Sequence, residues 1–299
     1  MRRWAAVFIA MTSAAALAAC GSSSKSTSGS PTTVANGASL FSQLPSSIQS
    51  SKEIKIGSDI EYAPIEFYKL GTQQVEGVDY DLAQALATKL GVKVTFIDDT
   101  DFAGIIGALH AGRFDMIMSA MNDTADRRAK GADFVDYFTA GTSIIVKKGN
   151  PLGIKTPDDL CGHTVAVQQG TVQDTDIITP QEPKCKQAGK AMTVLRFEKD
   201  TDALEQVKNG RAVANLEDFP VAAYNAQTSG GGNDFTAVDV PGISPGDYGI
   251  AVLKTNTQLR NAVQAALKAV IADGTYDQIM QKWNVTAGAL KTAAINSGS

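Results

Sequence analysis

The chain has 299 residues, 43% hydrophobic and 19% charged, with 27 basic against 31 acidic side chains and a net charge of −4. That balance, with no basic stripe, argues against a nucleic-acid partner, and the length exceeds what one small core organises. Three cysteines and two distant histidines, His110 and His163, leave little basis for a metal site or a histidine-based triad.

Met1-Arg2-Arg3 is followed by an apolar run from Trp4 to Leu17 and then by Ala18-Ala19-Cys20-Gly21. A positive end, a short apolar core and small residues make a signal peptide over residues 1–19. The run is shorter than the roughly 20 apolar residues of a membrane span. Leu17-Ala18-Ala19-Cys20 resembles the bacterial lipoprotein signal, which implies cleavage before Cys20 and lipidation of that residue. Residues 20–45 then read as a lipidated cysteine and a flexible tether, since Gly21 to Ser30 is almost all Ser, Gly and Thr. Two acyl chains would give stable anchoring. Cleavage removes two arginines and no acid, leaving 25 basic and 31 acidic residues, a charge of −6. The expected location is the outer face of the cell membrane, or the periplasm. In such an oxidising compartment Cys161 and Cys185 read as a disulfide, worth roughly 3 kcal/mol for a loop of about 24 residues.

Glu53 to Ser58 alternates and reads as the first strand, followed by a loop, Asp59 to Pro64, and a hairpin-like excursion from Phe67 to Val75. Leu82, Leu86 and Leu90 at i, i+4 and i+8 predict a helix over 80–90, stopped by Gly91. Val92 to Ile97 is the second strand. Asp101 caps a helix carrying Ile105, Ile106 and Leu109, and Phe114 to Ala120 is the third strand. After Arg127 a strand is expected over Thr142 to Val146. A second alternation follows, with strands at 164–168, 192–197 and 213–216 and helices at 200–209 and 219–227. Thr156 to Asp159 has capping-box spacing, and Pro180 and Pro183 are expected to interrupt the region before Cys185. A last strand is expected over Asp247 to Leu253. Two closing helices follow, the first capped by Asn256 with a stripe of Leu259, Val263, Leu267 and Val270, and the tail from Lys291 reads as loose. Strand and helix alternating twice imply an α/β protein of two lobes, each a mostly parallel sheet flanked by helices. The expected bounds are 50–143 plus 248–288 for lobe 1, 147–243 for lobe 2 and 289–299 for the loose tail.

Ligands of open α/β sheets sit beyond the carboxyl ends of the strands, and the loops there hold a suggestive set. Arg127 follows the third strand and offers a planar fork that matches a carboxylate. Gly170-Thr171 opens a helical stretch after a strand and can add a second anion contact. Asp218 follows the strand at 213–217 and can hold an ammonium group. Asp59, Tyr62, Phe67 and Phe102 follow the first two strands. Alone, each is an ordinary cap, surface or packing residue. Together they describe a site for an α-amino acid between two lobes.

Asp59-x-x-Tyr62-Ala63-Pro64 with Phe67, Gly77-x-Asp79-x-Asp81-Leu82, Phe114-Asp115 through Asp126-Arg127 to Asp133-Phe134-Val135-Asp136, and Gly210-Arg211-Ala212 to Asp218-x-Pro220 resemble the signatures of the polar amino-acid family of periplasmic-type solute-binding proteins. The resemblance covers residues 50 to 285. It implies a two-lobed fold joined by hinge strands near 142–146 and 247–252, no cofactor, no catalysis, and an ABC permease as partner. It also implies that Arg127 and Thr171 with Gly170 take the ligand carboxylate, Asp218 takes its amine, and Tyr62 and Phe102 flank its side chain. Arg128 competes with Arg127, because one extra residue separates the pair from Phe134. Asn122 stands where the family has Ser or Thr.

Asp59, Glu61, Glu66, Gln168 and Glu217 are the candidates at the side-chain end, and four acids with an amide favour arginine, lysine or glutamine. A monomer that closes on a free amino acid is expected. Two alternatives remain: a cyclohexadienyl or arogenate dehydratase-like enzyme using Glu217 or Glu66, and an amino-acid-sensing or adhesive surface lipoprotein.

Overall fold

A computed structural model describes residues 40–298. The expected signal peptide, Cys20 and most of the tether lie outside the described residues.

Strand β1 (Glu53–Ser58) pairs in parallel with β5 (Lys93–Asp98) on one side and β6 (Met116–Ile117) on the other. Strands β8 (Thr164–Gln168), β9 (Thr193–Phe197) and β10 (Ala214–Asp218) form a second parallel set. Two long antiparallel strands, β7 (Ala132–Lys147) and β11 (Phe235–Leu253), join them into one sheet of order β5-β1-β6-β11-β7-β10-β8-β9. The fold is therefore the two-lobed one expected. In β7, residues 132–140 pair with residues 246–253 of β11, while residues 142–147 pair with residues 235–243. The register of the pair shifts between Val238 and Ile243, again before Gly246 and again after Tyr248. Each shift adds local twist, so the crossing between lobes falls where the ladder is least regular. A small antiparallel sheet of β2 (Glu61–Tyr62), β3 (Glu66–Tyr68) and β4 (Val75–Glu76) stands beside the first lobe.

Each lobe buries both faces of its sheet. Helix α1 (Ser46–Ser51) leads into β1. Helix α2 (Val78–Leu90) turns Val78, Leu82, Leu86 and Leu90 inward against Leu259, Val263, Leu267 and Val270 of α8 (Thr257–Ala272). Tyr276 and Met280 of α9 (Thr275–Lys282) join the same core. Ile105, Ile106 and Leu109 of α3 (Ile105–His110) cover the opposite face with Phe114, Ile117 and Phe134. In the second lobe, Ile144 and Val146 of β7 enter one core and Ile145 the other, the period of two that a strand buried on both sides requires.

Several elements differ from expectation. The third strand pairs regularly only at Met116–Ile117, because the chain turns at Ala120, whose φ is 45°. Residues 132–141, left unassigned in the sequence, continue β7, and β11 begins twelve residues before the expected Asp247. Pro180 and Pro183 do not break the chain. Residues Gln173–Ile178 form a π-helix that runs into α5 (Thr179–Gln187). Pro180 stands at the junction of the two helical segments, and Pro183 lies inside α5. Helices α6 (Asp200–Lys208) and α7 (Phe219–Thr228) lie close to where expected. Cys161 and Cys185 form a disulfide with Cα atoms 5.0 Å apart, tying α5 to the turn at Pro157–Leu160. The last residues, expected to be loose, are hydrogen-bonded to the first lobe. Asp136 donates its amide to Ala294, and Asn296 exchanges backbone and side-chain bonds with Phe134.

Candidate functional site

The carboxyl ends of β1, β8 and β10 and the turn after β6 point into one cleft. Asp59, Tyr62, Glu66, Phe102, Ser119, Ala120, Asn122, Arg127, Gln168, Thr171, Gln173 and Asp218 line it. A larger space of about 770 Å³ between α7 and α9 is bounded mainly by apolar groups such as Phe138, Phe219 and Trp283. The convergent charges single out the first cleft.

Arg127 lies on α4 (Ala125–Ala129), whose start is capped by Thr124 accepting the Arg127 amide. Its Nη1 donates to the Asn122 carbonyl at 2.9 Å and its Nη2 to the Gly170 carbonyl at 3.1 Å. The guanidinium carbon stands 5.3 Å from the centre of the Phe102 ring. Burial brings its pKa down to about 10, so it is charged at neutral pH. Arg128 points elsewhere: its Nη1 meets Asp123 at 2.5 Å and the Gly298 carbonyl at 3.1 Å.

Gly170 and Arg127 belong to opposite lobes, so their bond crosses the cleft. Gly170 has a φ of 77°, and a Cβ there would come within 2.7 Å of Ala103. Thr171 turns its hydroxyl back to the Gln168 carbonyl and accepts the Asp174 amide. Asp218 accepts from the Tyr62 hydroxyl at 3.2 Å and from Gln173 at 2.9 Å, and its amide donates to Tyr62. Burial lifts its carboxyl to about 6, against those bonds and the charge of Arg127.

The lining is also acidic. Asp59 accepts from Gln168 at 2.6 Å through Oδ2, and burial, then Glu61, pushes its pKa up to about 8. Glu66 accepts from Ser119 at 3.2 Å through Oε1, and burial, then Asp79, holds its pKa well above the usual range. Asp59 Oδ1 is buried without a hydrogen-bond partner, whereas the Glu66 carboxyl, held protonated, has Asp79 as a hydrogen-bonding neighbour. A desolvated carboxylate oxygen with no donor costs several kcal/mol unless protonated or paired.

Asp59, Tyr62, Phe102, Asn122, Arg127, Gln168, Thr171 and Asp218 are thus brought together, with Gly170 beside them. Phe67 is not among them: its ring packs 6.1 Å from Tyr224 and 5.7 Å from Trp283, outside the cleft. Glu61 reaches across instead to the Asp200 amide and the Thr201 hydroxyl, each at 2.7 Å. Glu217 is fully buried and bound by Asn215 and Asn225, behind the lining. Ser119 and Gln173 were missed. Ser119 lies inside the expected strand Phe114 to Ala120, and Gln173 sits two residues past Thr171, so only Gln173 had a neighbouring loop candidate as a signal.

The model of the bacterial extracellular solute-binding proteins, family 3, matches residues 54–286. The arginine-binding protein ArgT of Corynebacterium glutamicum is 31% identical over 86% of this chain and 82% of its own. An ancestral arginine-binding protein bound to arginine is similar in structure, with a TM-score of 0.70, 36% identity and coverage of 78% of this chain and 98% of that one. So is the ancestral amino acid-binding protein AncCDT-1, a precursor of cyclohexadienyl dehydratase, with a TM-score of 0.70, 38% identity and coverage of 79% and 97%. With a family match across most of its length and a cleft built from both lobes, the chain belongs to the bacterial extracellular solute-binding proteins of family 3.

Proposed function

We propose that the chain is the substrate-binding lipoprotein of an amino-acid ABC importer, held at the membrane through Cys20, and that it captures a basic L-amino acid. Arginine is the preferred ligand, ahead of lysine and glutamine. The observation that carries the reading is the buried, unpartnered oxygen of Asp59, Oδ1, in a lining that also holds the buried Glu66 carboxyl. Arg127 would clamp the α-carboxylate in a bidentate pair with help from Thr171, and Asp218 would accept the α-ammonium. A guanidinium between Asp59 and Glu66 would supply the missing donor and return both carboxyls to the charged form. Tyr62 and Phe102 would bound the aliphatic stem. Two relatives named for arginine support this choice. Contacts from both lobes make ligand and closure mutually stabilising.

The test is a thermal-shift screen of the twenty amino acids, each without and with prephenate as a competing candidate. Arginine at about 100 times its dissociation constant should add about 2.7 kcal/mol of stability. No shift with any amino acid, together with consumption of prephenate, would replace this reading with the dehydratase one. Glu217, one acid that reading would use, is turned towards Asn215 and Asn225. Anchoring is checked separately: Cys20→Ser protein should leave the membrane fraction.

A further inference from the structure

The first half of β7 carries β11 on one side, but β10 pairs only with residues 142–146 of it. Residues 132–139 therefore present an edge, and the end of the chain lies along it. Phe138 bridges Ala289 and Val135 bridges Ile295, both antiparallel. Asn296 donates its amide to the Phe134 carbonyl at 3.1 Å and accepts the Phe134 amide on its side chain at 2.8 Å. Ser297 gives its amide and its hydroxyl to Asp136, at 2.9 and 2.6 Å. Covering an open strand edge in this way is structural. The last step goes further, because Gly298 leaves the edge and reaches the turn that bears the cleft residues. Its amide donates to Asp123 Oδ2 at 2.8 Å and its carbonyl accepts from Arg128 at 3.1 Å. A Cβ at Gly298 would fall 2.1 Å from the Asp123 carbonyl oxygen, so the approach is as close as a backbone can make.

Asp123 is buried between Asn122 and Thr124, and its amide donates to the Asp247 carbonyl of β11. Its carboxylate takes Arg128 on one oxygen and Gly298 on the other. Arg127 and Arg128 are neighbours on a five-residue helix, and side chains one position apart project about 100° from each other. So short a helix has little rigidity of its own. Its roll about its axis is set by what grips its side chains. Fixing Arg128 to Asp123 and to the chain end aims Arg127 across the cleft at Gly170.

We propose that residues 293–298 are a strap that positions the ligand clamp, acting through Asp123 and Arg128 on Arg127. Asp123, Arg128 and Gly298 touch no ligand in this scheme; they are positioning residues. The inference rests on the reading that Arg127 receives an amino-acid carboxylate. It predicts a loss confined to that contact.

The probes are L-arginine and L-argininamide, which lacks the α-carboxylate, titrated calorimetrically against the full chain, a chain ending at Thr292, and the full-length variants Asp123→Asn and Gly298→Ala. In the unaltered chain arginine should bind far more tightly than its amide. In all three variants the affinity for arginine should fall about tenfold or more, a loss of about 1.4 kcal/mol, while that for argininamide changes less than about twofold, so the ratio between the probes shrinks. A strap that only covers the edge would lower Tm in the truncated chain and leave the ratio untouched, and that result overturns the proposal. Should the shortened chain fail to fold, the two point variants decide by the same ratio. If the unaltered chain binds neither probe, the amino-acid reading fails and the strap with it. Tight arginine binding with an unchanged ratio in the variants sinks the strap alone.

Discussion

At the scale of single residues the cleft is an arrangement of unequal charges. The lining holds one buried guanidinium and the buried acids Asp59 and Glu66, the first with one oxygen unmatched. Burial makes both acids reluctant to ionise, Asp59 reaching about 8. A neutral side chain in that position would meet protonated acids and gain little, whereas a cation would draw the protons off and form charge-assisted bonds. Asp59→Asn and Glu66→Gln keep the shape and remove the charge. Each should weaken L-arginine by about ten- to a hundredfold, or roughly 1.4–2.8 kcal/mol. L-citrulline, whose side chain is similar in size but neutral, should change little. Equal losses for both ligands would mean that these acids hold the loop and not the side chain. The same acids make the arginine affinity of the unaltered chain depend on pH. It should fall as pH drops from 8 to 6, by up to about tenfold per unit for each proton the ligand must displace. Citrulline should show a flatter profile, and calorimetry across that range reads both.

At the scale of elements, closeness across the cleft depends on the turn after β8. Gly170 takes a left-handed conformation open to glycine at little cost, and it passes so near Ala103 that a methyl group would meet that backbone at 2.7 Å. Gly170→Ala should hold the lobes apart. Arginine affinity should fall about tenfold or more, and small-angle scattering with saturating arginine should register less compaction than for the unaltered chain. A variant that closes and binds normally would show that the turn can shift without cost. Such turns were legible in the sequence because glycine beside a hydroxyl residue after an apolar run marks them, and α2 and α8 were legible from their i, i+4 leucine and valine stripes. The strands β7 and β11 were not, for a physical reason. They cross from one lobe to the other through Gly141, Pro245 and Gly246, residues that elsewhere end strands, and their register shifts keep no steady alternation. Nor could spacing decide between Arg127 and Arg128. In the folded chain Arg128 is held by Asp123 and by the Gly298 carbonyl, the second of which lies 170 positions from it and comes near only once the sheet has formed. Ser119 and Gln173 carried no motif, since any polar residue at those positions looks the same in one sequence.

At the scale of the whole molecule, the buried acids make the protein's stability depend on pH in an uncommon direction. Burial raises Asp59 to about 8, Asp79 and Glu217 to about 7, and Asp136 and Asp218 to about 6, from unperturbed values of 3.8 for the aspartates and 4.5 for the glutamate. In each case the folded state keeps its proton to a higher pH than the unfolded chain does. Between about pH 4 and pH 8 the folded protein therefore binds more protons, and the stability these groups contribute, whole below pH 4, is lost as pH rises through that window. Asp273, lowered to about 2 by its bond to Lys89, works the other way, but its window closes below pH 4 and does not overlap. Without ligand, then, Tm should be lower at pH 8 than at pH 5 by several degrees, on the order of what 1–2 kcal/mol produces in a chain of this size. Saturating arginine should narrow the gap. A cation between Asp59 and Glu66 stabilises their charged forms, and Arg127 is freed from carrying Asp218 alone against desolvation. The stabilisation by arginine should accordingly be larger at pH 8 than at pH 5. A ligand-free Tm that rises between pH 5 and pH 8 would mean the acids are already ionised in the folded chain, and both the linkage and the cation-selective reading of the cleft would lose their basis.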